Sequence, residues 1–231
     1  MRQIGIVVAL PSEAATLLPG RLPRAHSIEI RRGARLRICG MGPERAAAAA
    51  RALIGEGADG LLSWGTAGAL VSGLAPGTLL LPGAVADEAG TCVEADGAWL
   101  DGLLAAVGEA VVHEPLVSVE EPVADPAARN RLRRVSGAIA VDMETAAVAS
   151  VATVHGLPWC AVRAIADPAG SRLPLAVRRA VDPWGVPLWP RFAIELARRP
   201  ADWLALVRLF GYFRAATGAL ARAARRLELA A

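Results

Sequence analysis

The sequence predicts a single-domain three-layer α/β fold, in which a central mixed, largely parallel sheet is flanked by helices and followed by a C-terminal helical extension. Three observations favour this fold. Short apolar runs alternate with helical patterns from residue 4 to residue 165. A chain of 231 residues can bury one large core. No linker or internal repeat divides the chain, so residues 1–231 are expected to form one domain, with 169–231 as the extension.

The sheet is predicted from eight short apolar runs that are often β-branched. Helical patterns separate many of them, and the first such helix follows Pro43, a residue suited to a first helical turn. Because parallel strands need crossover connections, the alternation predicts a largely parallel sheet covered by helices. The predicted strands span residues 4–9, 26–30, 36–39, 60–63, 78–81, 110–119, 138–141 and 158–165, and the predicted helices span 44–55, 98–108, 126–135 and 143–154.

The pattern changes after residue 169, where Pro, Trp and Arg become frequent. Asp182-Pro183 and Trp184-Gly185 are turn signals, and a last helix is predicted over residues 201–226. At about 100° per residue, three arginines of this helix share one narrow face and apolar side chains occupy much of the rest. The arginines are Arg208, Arg222 and Arg226, and the apolar residues are Trp203, Leu206, Val207, Phe210 and Phe213.

Composition excludes several classes of function. All 25 basic residues are arginine, which excludes Schiff-base chemistry on lysine and a P-loop lysine. The formal net charge is only +3 and the basic residues are spread along the chain, so no nucleic-acid partner is expected. Three histidines and three cysteines are scattered, which predicts neither a catalytic triad, a metal site nor a disulfide framework. This cysteine usage favours the reducing cytoplasm.

Two hydrophobic segments are interpreted as strands and not as membrane-inserted helices. The N-terminal "MRQIGIVVAL" is short and is followed by Pro11 and Glu13, which indicates a first strand rather than a signal peptide. Residues 60–86 carry no charge, but they contain six glycines and two prolines. A spanning helix of that composition would leave backbone groups unsatisfied, so the segment is interpreted as two buried strands with loops.

Three acidic residues follow predicted core strands. Glu13, Glu144 and Asp167 each stand near the carboxyl end of an apolar run. Because ligands of open α/β sheets bind outside those ends, the three carboxylates predict a pocket that handles protons and hydroxyl groups. The pattern leaves structural alternatives open: Glu13 or Glu144 in a first helical turn, Asp142 as an N-cap, and Asp167 as a turn residue.

Two glycine-containing segments are further candidates. "SWGTAGAL" over residues 63–70 is predicted to be a loop in which glycines bracket Thr66, so that backbone approaches a ligand or binds an anion. A tight turn explains the same residues equally well. "CGMGPERA" over residues 39–46 is a glycine turn followed by a helix start, where Arg45 either binds an anion or faces solvent.

The segments "IGIVVALPSEA", "GMGPERAAAAA", "SWGTAGAL", "AVDMETAAVA" and "VRAIAD" together resemble the nucleoside phosphorylase and nucleosidase superfamily in order and spacing. The resemblance implies a nucleosidase- or phosphorylase-like domain that cleaves the N-glycosidic bond of a purine nucleoside. By motif, Glu13 is similar to the residue that positions or activates the attacking water, and Asp167 to the acid that protonates the purine at N7. Glu144 is implied to bind the ribose hydroxyls, with Met143 packed on the sugar.

Four more positions are candidates for substrate binding: Gly65, Thr66, Val123 and Arg45. Thr66, preceded by Gly65, matches the hydroxyl residue of the ribose and anion loop. "SVEEPVAD" falls where the family lines its base pocket, which implies a contact from the backbone around Val123. Arg45 and the Thr66 loop would supply part of a phosphate site if the enzyme were a phosphorylase. Water is favoured as the nucleophile, and no metal or cofactor is implied.

The tail carries a narrower resemblance. Residues 181–220, with "SVEEPVADP" and "IADPA", are similar to the hopanoid-associated phosphorylase subfamily, whose implied reaction releases adenine from adenosylhopane and leaves ribosylhopane. The alternatives are a methylthioadenosine/adenosylhomocysteine nucleosidase, a phosphate-dependent purine nucleoside phosphorylase, and a nucleoside-binding module without activity. Pro11 and Ser12 depart from the family, which carries consecutive acids before the catalytic glutamate.

These resemblances predict the substrate and the oligomeric state of the protein. The expected partner is an adenosine-containing small molecule or lipid-linked substrate, and the superfamily implies a homodimer or larger homo-oligomer. The expected location is the cytoplasm, and peripheral contact of the C-terminal helix with the inner face of the membrane is left open. Five aromatic residues would line an apolar mouth or contact the membrane, and the alternative is ordinary core or homodimer packing: Trp184, Trp189, Trp203, Phe210 and Phe213.

Overall fold

The computed structural model of the protein describes residues 3–20, 22–24, 26–31, 33–108, 111–199 and 202–230, with the backbone alone at residue 178. The described residues form ten strands: β1 Ile4–Val8, β2 Ser27–Arg31, β3 Ala34–Ile38, β4 Gly60–Ala69, β5 Leu79–Leu80, β6 Ala84–Ala86, β7 Cys92–Glu94, β8 Leu116–Ser118, β9 Ala140–Asp142 and β10 Trp159–Asp167. They also form eight helices: α1 Pro11–Ala14, α2 Pro43–Gly55, α3 Gly97–Val107, α4 Pro126–Ser136, α5 Thr145–Val154, α6 Leu175–Ala180, α7 Arg191–Arg198 and α8 Asp202–Arg226.

The strands form one mixed sheet, which confirms the predicted α/β class. Its order is β2-β3-β1-β4-β9-β8-β6-β7, and β10 lies beside both β4 and β5. Parallel pairs join β1 to β3 and β4, β4 to β10, β8 to β9, and β6 to β8. The remaining pairs of the described strands are antiparallel. The carboxyl ends of β1, β4 and β10 therefore meet at one edge of the sheet.

The prediction of a loop over residues 63–70 is wrong, because β4 continues to Ala69. Gly65 pairs with Arg163 of β10, and Gly68 pairs with both Asp167 of β10 and Val141 of β9. Glycine inside a strand often marks a close approach, and here the missing side chains let the Arg163 and Asp167 side chains approach the strand. The backbone of this segment is extended, so it does not form the anion-binding nest that was considered for it.

Helices cover the sheet on both faces. On one face α2 packs against α5 and β1, and the small side chains of Ala46, Ala49 and Ala50 are fully buried there. On the other face lie α1, α3 and α8. The second half of α8 belongs to this core, since residues at helical spacing are buried against β10: Ala216, Ala219, Leu220, Ala223 and Ala224.

The long helices agree with their predicted ranges within about two residues, although the predicted start of the last helix at residue 201 lies outside the described residues. The strand predicted over residues 110–119 is too long, because only Leu116–Ser118 is strand. Val112 forms an isolated bridge to Leu80, and residue 110 lies outside the described residues. The elements that the sequence did not predict are short: α1, α6, α7, β6 and β7.

Candidate active site

A cavity lies at the sheet edge where β1, β4 and β10 end. The structure brings Glu13, Glu144 and Asp167 together in this cavity, although Glu13 and Asp167 are 154 positions apart in the sequence. Arg129 of α4 also lines it. Its lining comprises Ala9, Leu10, Glu13, Met41, Thr66, Ala67, Gly68, Val119, Pro122, Val123, Arg129, Val141, Asp142, Met143, Glu144, Ala166, Asp167 and Leu173.

Glu13 is held rigidly at one end of the cavity. It lies on α1 and is 2% exposed. One carboxylate oxygen accepts hydrogen bonds from the backbone N–H of Thr66 at 2.8 Å and from its hydroxyl at 2.7 Å. The other accepts from the N–H of Leu10 at 3.0 Å, so Glu13 also caps its own helix. Glu13 therefore lies in the first turn of a helix, which was its structural alternative, and also lines the cavity.

A buried ionic network stands behind Glu13. Asp142 and Arg163 are both about 1% exposed at the side chain and their charged atoms are 2.6 Å apart. Asp142 also accepts hydrogen bonds from the hydroxyls of Ser118 and Thr145, and from the Thr145 N–H at 3.2 Å. The N-cap of α5 is Glu144 and not Asp142, as one alternative had it, but Asp142 accepts the first N–H of that helix. Asp142 also supplies the counter-charge of a buried arginine.

Glu144 stands between this network and the cavity. Its carboxylate accepts the N–H of Gly42 at 3.0 Å and lies 3.9 Å from the Arg163 guanidinium. Burial and then the neighbouring Asp142 carboxylate raise the pKa of Glu144 to about 7, although Arg163 opposes the shift. Burial likewise raises the pKa of Glu13, against the lowering effects of Arg163 and of the hydrogen bonds from Thr66. The Glu144 carboxyl group is therefore suited to proton exchange near neutral pH, and Glu13 holds a proton more tightly than an exposed glutamate does.

Arg163 is fixed by more than its carboxylate partners. Its guanidinium donates to the hydroxyl of Ser63 at 2.7 Å and to that of Thr145 at 2.8 Å. Gly65 makes room for it, because a Cβ there would overlap the Arg163 guanidinium and lie 3.0 Å from the Glu13 carboxylate. Gly65 lies behind the cavity wall rather than on it, so its contribution is space for these two side chains.

Asp167 marks the opposite end of the cavity. It is the last residue of β10, and its side chain is 16% exposed. Its carboxylate forms an ion pair with Arg129, whose side chain is 4% exposed, and accepts a hydrogen bond from Ser171 at 3.4 Å. The two ends of the cavity thus each hold a carboxylate beside a buried arginine.

The other predicted positions separate into two groups. Thr66, Met143 and Val123 line the cavity, and the Val123 carbonyl accepts a hydrogen bond from Arg129 at 3.3 Å. Arg45 does not reach the cavity. It is exposed on α2 and donates to the Met41 carbonyl at 3.4 Å.

Sequence reasoning missed the two buried arginines. A signal for Arg163 was present, since a charge inside the apolar strand "WCAVRAIAD" requires buried counter-charges. Arg129 had no comparable signal, because α4 contains four arginines among few apolar residues and their pattern does not show which one is buried.

The C-terminal segment contacts the rim of the cavity. The Pro183 carbonyl accepts the N–H of Met41 at 2.8 Å, and a Cβ on Gly185 would lie 3.1 Å from the Leu10 side chain. Met41 and Leu10 both line the cavity. The turn between α6 and α7 therefore borders the cavity beside the Glu13 end.

The geometry can serve a ligand with hydroxyl groups at one end and a proton-accepting group at the other. Glu144 and Glu13 can accept hydrogen bonds from hydroxyls or from a water molecule. Glu13 lies beside Gly65 and Asp167 beside Gly68, three residues further along β4, which allows two proton transfers at different atoms. Such an arrangement supports cleavage of a bond between a hydroxylated ring and a basic leaving group.

Comparison with known proteins gives a family and a fold. The sequence profile described as "Phosphorylase superfamily" matches residues 3–182. No curated protein sequence matches the chain.

Several solved structures are similar. The 5'-methylthioadenosine/S-adenosylhomocysteine nucleosidase of Neisseria meningitidis, in complex with methylthio-immucillin-A, shares 19% identity over 99% of both chains, with a TM-score of 0.73. The futalosine hydrolase of Helicobacter pylori shares 19% identity over 99% of this chain and 96% of that one, with a TM-score of 0.70. These likenesses show that the fold is shared over nearly the whole chain.

Proposed function

Because the chain belongs to the Phosphorylase superfamily, we propose that it cleaves the N-glycosidic bond of a purine nucleoside and releases adenine. The observation that carries this proposal is the convergence of Glu13, Glu144 and Asp167 on one cavity. The similar structures include nucleosidases of the same fold. A nucleoside-binding module without activity is the competing reading, and the buried, hydrogen-bonded carboxyl groups at both ends of the cavity favour an enzyme.

The proposed reaction uses the two ends of the cavity separately. Asp167 enters the proposed reaction as the protonated acid. As the bond between ribose C1' and purine N9 breaks, positive charge develops on the ribose, and Asp167 gives its proton to N7 of the leaving base and becomes a carboxylate. Glu13 accepts a proton from the water whose oxygen bonds to C1'. Glu144 holds the ribose hydroxyls by charge-assisted hydrogen bonds, which orient the sugar. Met143 packs on the sugar, and the segment around Val123 borders the base.

Water rather than phosphate is the proposed nucleophile. Arg45, the residue considered for a phosphate site, is exposed and outside the cavity lining, and Arg163 is already paired with Asp142. The test is adenine release from methylthioadenosine and adenosylhopane, each with and without inorganic phosphate. Release without phosphate supports a nucleosidase. Strict dependence on phosphate would convert the proposal into a phosphorylase, and adenine binding without release would favour the non-catalytic module.

The proposed substrate is a lipid-linked adenosine, adenosylhopane, which would give ribosylhopane. This rests on the resemblance of the tail and on its position, since the turn between α6 and α7 contacts Leu10 and Met41 at the cavity rim. A soluble substrate such as methylthioadenosine or adenosylhomocysteine fits the site as well. Parallel measurement of kcat/KM on the lipid-linked and soluble nucleosides separates them, and a strong preference for the soluble ones would contradict the hopanoid assignment.

A lipid-linked substrate calls for membrane contact, and the segment before α7 and the first half of α8 present apolar side chains suited to it. The apolar face, defined here as Trp189, Trp203, Leu204, Val207 and Phe210, consists of side chains that are 56–68% exposed. α8 is long and apolar enough to cross a membrane by length and composition, but its second half is buried in the core. We therefore propose that its first half lies against the membrane surface.

Charge specifies the kind of membrane. Residues 169–231 contain eleven arginines and four acidic residues, a formal net charge of +7, whereas residues 1–168 carry a net charge of −4. Arginines beside exposed aromatic residues complement anionic lipid headgroups. The proposed partner of the apolar face is thus an anionic bilayer surface at the cytoplasmic side.

The membrane proposal is tested by flotation with vesicles of neutral lipid alone and of neutral lipid with phosphatidylglycerol. We expect binding to the anionic vesicles, and its loss in a Trp203→Ser/Phe210→Ser variant. Val154→Ser is the matched control, because Val154 is 80% exposed at the end of α5, outside the apolar face. Equal flotation of wild type and the double variant would remove the proposal.

A homodimer or larger homo-oligomer remains a proposal that rests on the resemblance to the superfamily. Light scattering on the wild type and on the Trp203→Ser/Phe210→Ser variant tests it. A dimer that persists in the variant uses another surface. Dissociation of the variant to monomers would assign the apolar face to a second copy of the chain and contradict the membrane proposal.

A further inference from the structure

Arg129 is a buried charge whose presence needs a physical reason. It lies on α4 with 3% exposure, although burying an arginine costs several kcal/mol unless its charge and donors are satisfied. Its guanidinium donates to the Asp167 carboxylate and to the carbonyls of Ala69 at 3.2 Å, Pro168 at 3.3 Å and Val123 at 3.3 Å. Arg129 therefore ties the end of β4, the segment after β10 and the segment before α4 to one planar group.

The contacts of Asp167 are asymmetric. Within the part of the chain that the structure describes, its hydrogen bonds from Arg129 and Ser171 both reach Oδ2. Oδ1 lies beside Gly68, where a Cβ would be only 3.0 Å away. One oxygen is thus anchored and the other remains available to a ligand in the cavity.

We propose that Arg129 is a positioning residue for proton transfer to the leaving base, an inference that rests on the proposed function. Arg129 fixes Asp167 through Oδ2, so that Oδ1 meets the purine. When Asp167 has given its proton to the base, the resulting carboxylate is stabilised by the adjacent guanidinium. A lysine at this position would keep the charge but lose the fork that reaches four acceptors.

The test compares leaving groups. Adenine must gain a proton to depart, whereas 4-nitrophenolate departs from 4-nitrophenyl riboside without one. We expect Arg129→Met to lower kcat on the adenine nucleoside about 10²-fold, the scale of a misplaced reacting group, with little loss on the nitrophenyl riboside. Asp167→Asn should show the same selectivity, and the double variant should be no slower than Asp167→Asn. Arg129→Lys should recover part of the rate.

Arg134→Gln is the matched control, because Arg134 is exposed on the same helix. Equal losses on both substrates, or additive losses in the double variant, would show that Arg129 only supports the fold and would overturn the inference. If the wild type releases no adenine, the proposed function fails, and calorimetric binding of adenine tests Arg129 instead. Coupled weakening in Arg129→Met and Asp167→Asn supports the inference, and unchanged binding in Arg129→Met overturns it.

Discussion

The sheet edge and the first half of α8 use arginine in opposite ways. At the sheet edge Arg163 is 1% exposed and faces three carboxyl groups, which raise its pKa against the effect of burial. On α8, Arg208 and Arg214 are exposed beside the apolar face. The first arrangement fixes the geometry of reacting groups, and the second leaves charge and apolar surface available to a partner.

This difference predicts which substitutions should affect folding and catalysis. A buried ion pair that loses one partner leaves an uncompensated charge in the core, so changes at the sheet edge should affect both folding and chemistry. An exposed arginine is screened by water, so changes on the first half of α8 should leave both nearly intact. Variants can therefore contradict the comparison in either region.

Arg163→Met should have the largest effect. It removes the counter-charge of Asp142 and the donors to Ser63 and Thr145, and should cost about 3–5 kcal/mol in the free energy of unfolding. Urea denaturation followed by circular dichroism measures this loss. The matched control is Arg208→Met on α8, for which a change within about 0.5 kcal/mol is expected. Similar midpoints for the two variants would contradict the contrast between the regions.

Asp167→Asn should retain the fold and lose about 10²–10⁴-fold in the rate of adenine release, the usual contribution of a general acid. The substitution preserves the size of the side chain at the end of β10 but removes its acidic proton. Initial rates of adenine release measure the effect, with Asp101→Asn on the exposed surface of α3 as control. Near-normal turnover in Asp167→Asn would overturn its assignment and leave Glu13 and Glu144 to explain the chemistry.

How far the sequence could predict this site depends on the residue. Glu13, Glu144 and Asp167 were predictable because position at the end of a buried strand is a local property, and the sheet then brings such ends together. Arg129 was not predictable, because its burial depends on how α4 docks against the ends of β4 and β10. The position of Arg45 was open for the same reason, since a first-turn arginine reaches either a ligand or solvent.

The fold shows the same division. Helices such as α2 were predictable because alanine-rich repeats and a leading proline act within a few residues. The extension of β4 through Gly65 and Gly68 was not, because a glycine pair signals a turn locally while pairing with β9 and β10 holds it extended. α6 and α7 are short, and their ends depend on contacts with each other.

Stability should fall with pH between about 4.5 and 7 through Glu144. Its pKa is raised from 4.5 to about 7 by burial and by Asp142, so the folded state binds the proton more tightly than the unfolded state. The contribution is therefore fully present below pH 4.5 and is lost as pH rises through 7, by up to about 3 kcal/mol. Urea denaturation at pH 5 and pH 7.5 measures it, and Glu144→Gln should flatten the difference; equal slopes in both proteins would contradict the assignment.

Gly65→Ala should have a smaller effect on stability. The added methyl group would overlap the Arg163 guanidinium and crowd the Glu13 carboxylate, and overpacking of this kind costs about 1–3 kcal/mol. Because both neighbours are held by several hydrogen bonds, adenine release should also fall. Thermal denaturation and initial rates measure the two effects. Gly102→Ala on α3 is the control, since a Cβ there meets no atom within 4 Å; equal behaviour of the two variants would show that Gly65 is not needed for space.

Gly211→Ala should have the smallest effect, and with the opposite sign. Gly211 lies within α8 and is exposed, and a Cβ there meets no atom within 4 Å. Alanine is better than glycine inside a helix by about 0.5–1 kcal/mol because it loses less backbone entropy on folding. The variant should raise the unfolding midpoint and leave adenine release from a soluble nucleoside unchanged. A destabilised Gly211→Ala would mean that this face of α8 is already packed against another surface, such as a second copy of the chain, and that the two regions differ less than their exposure indicates.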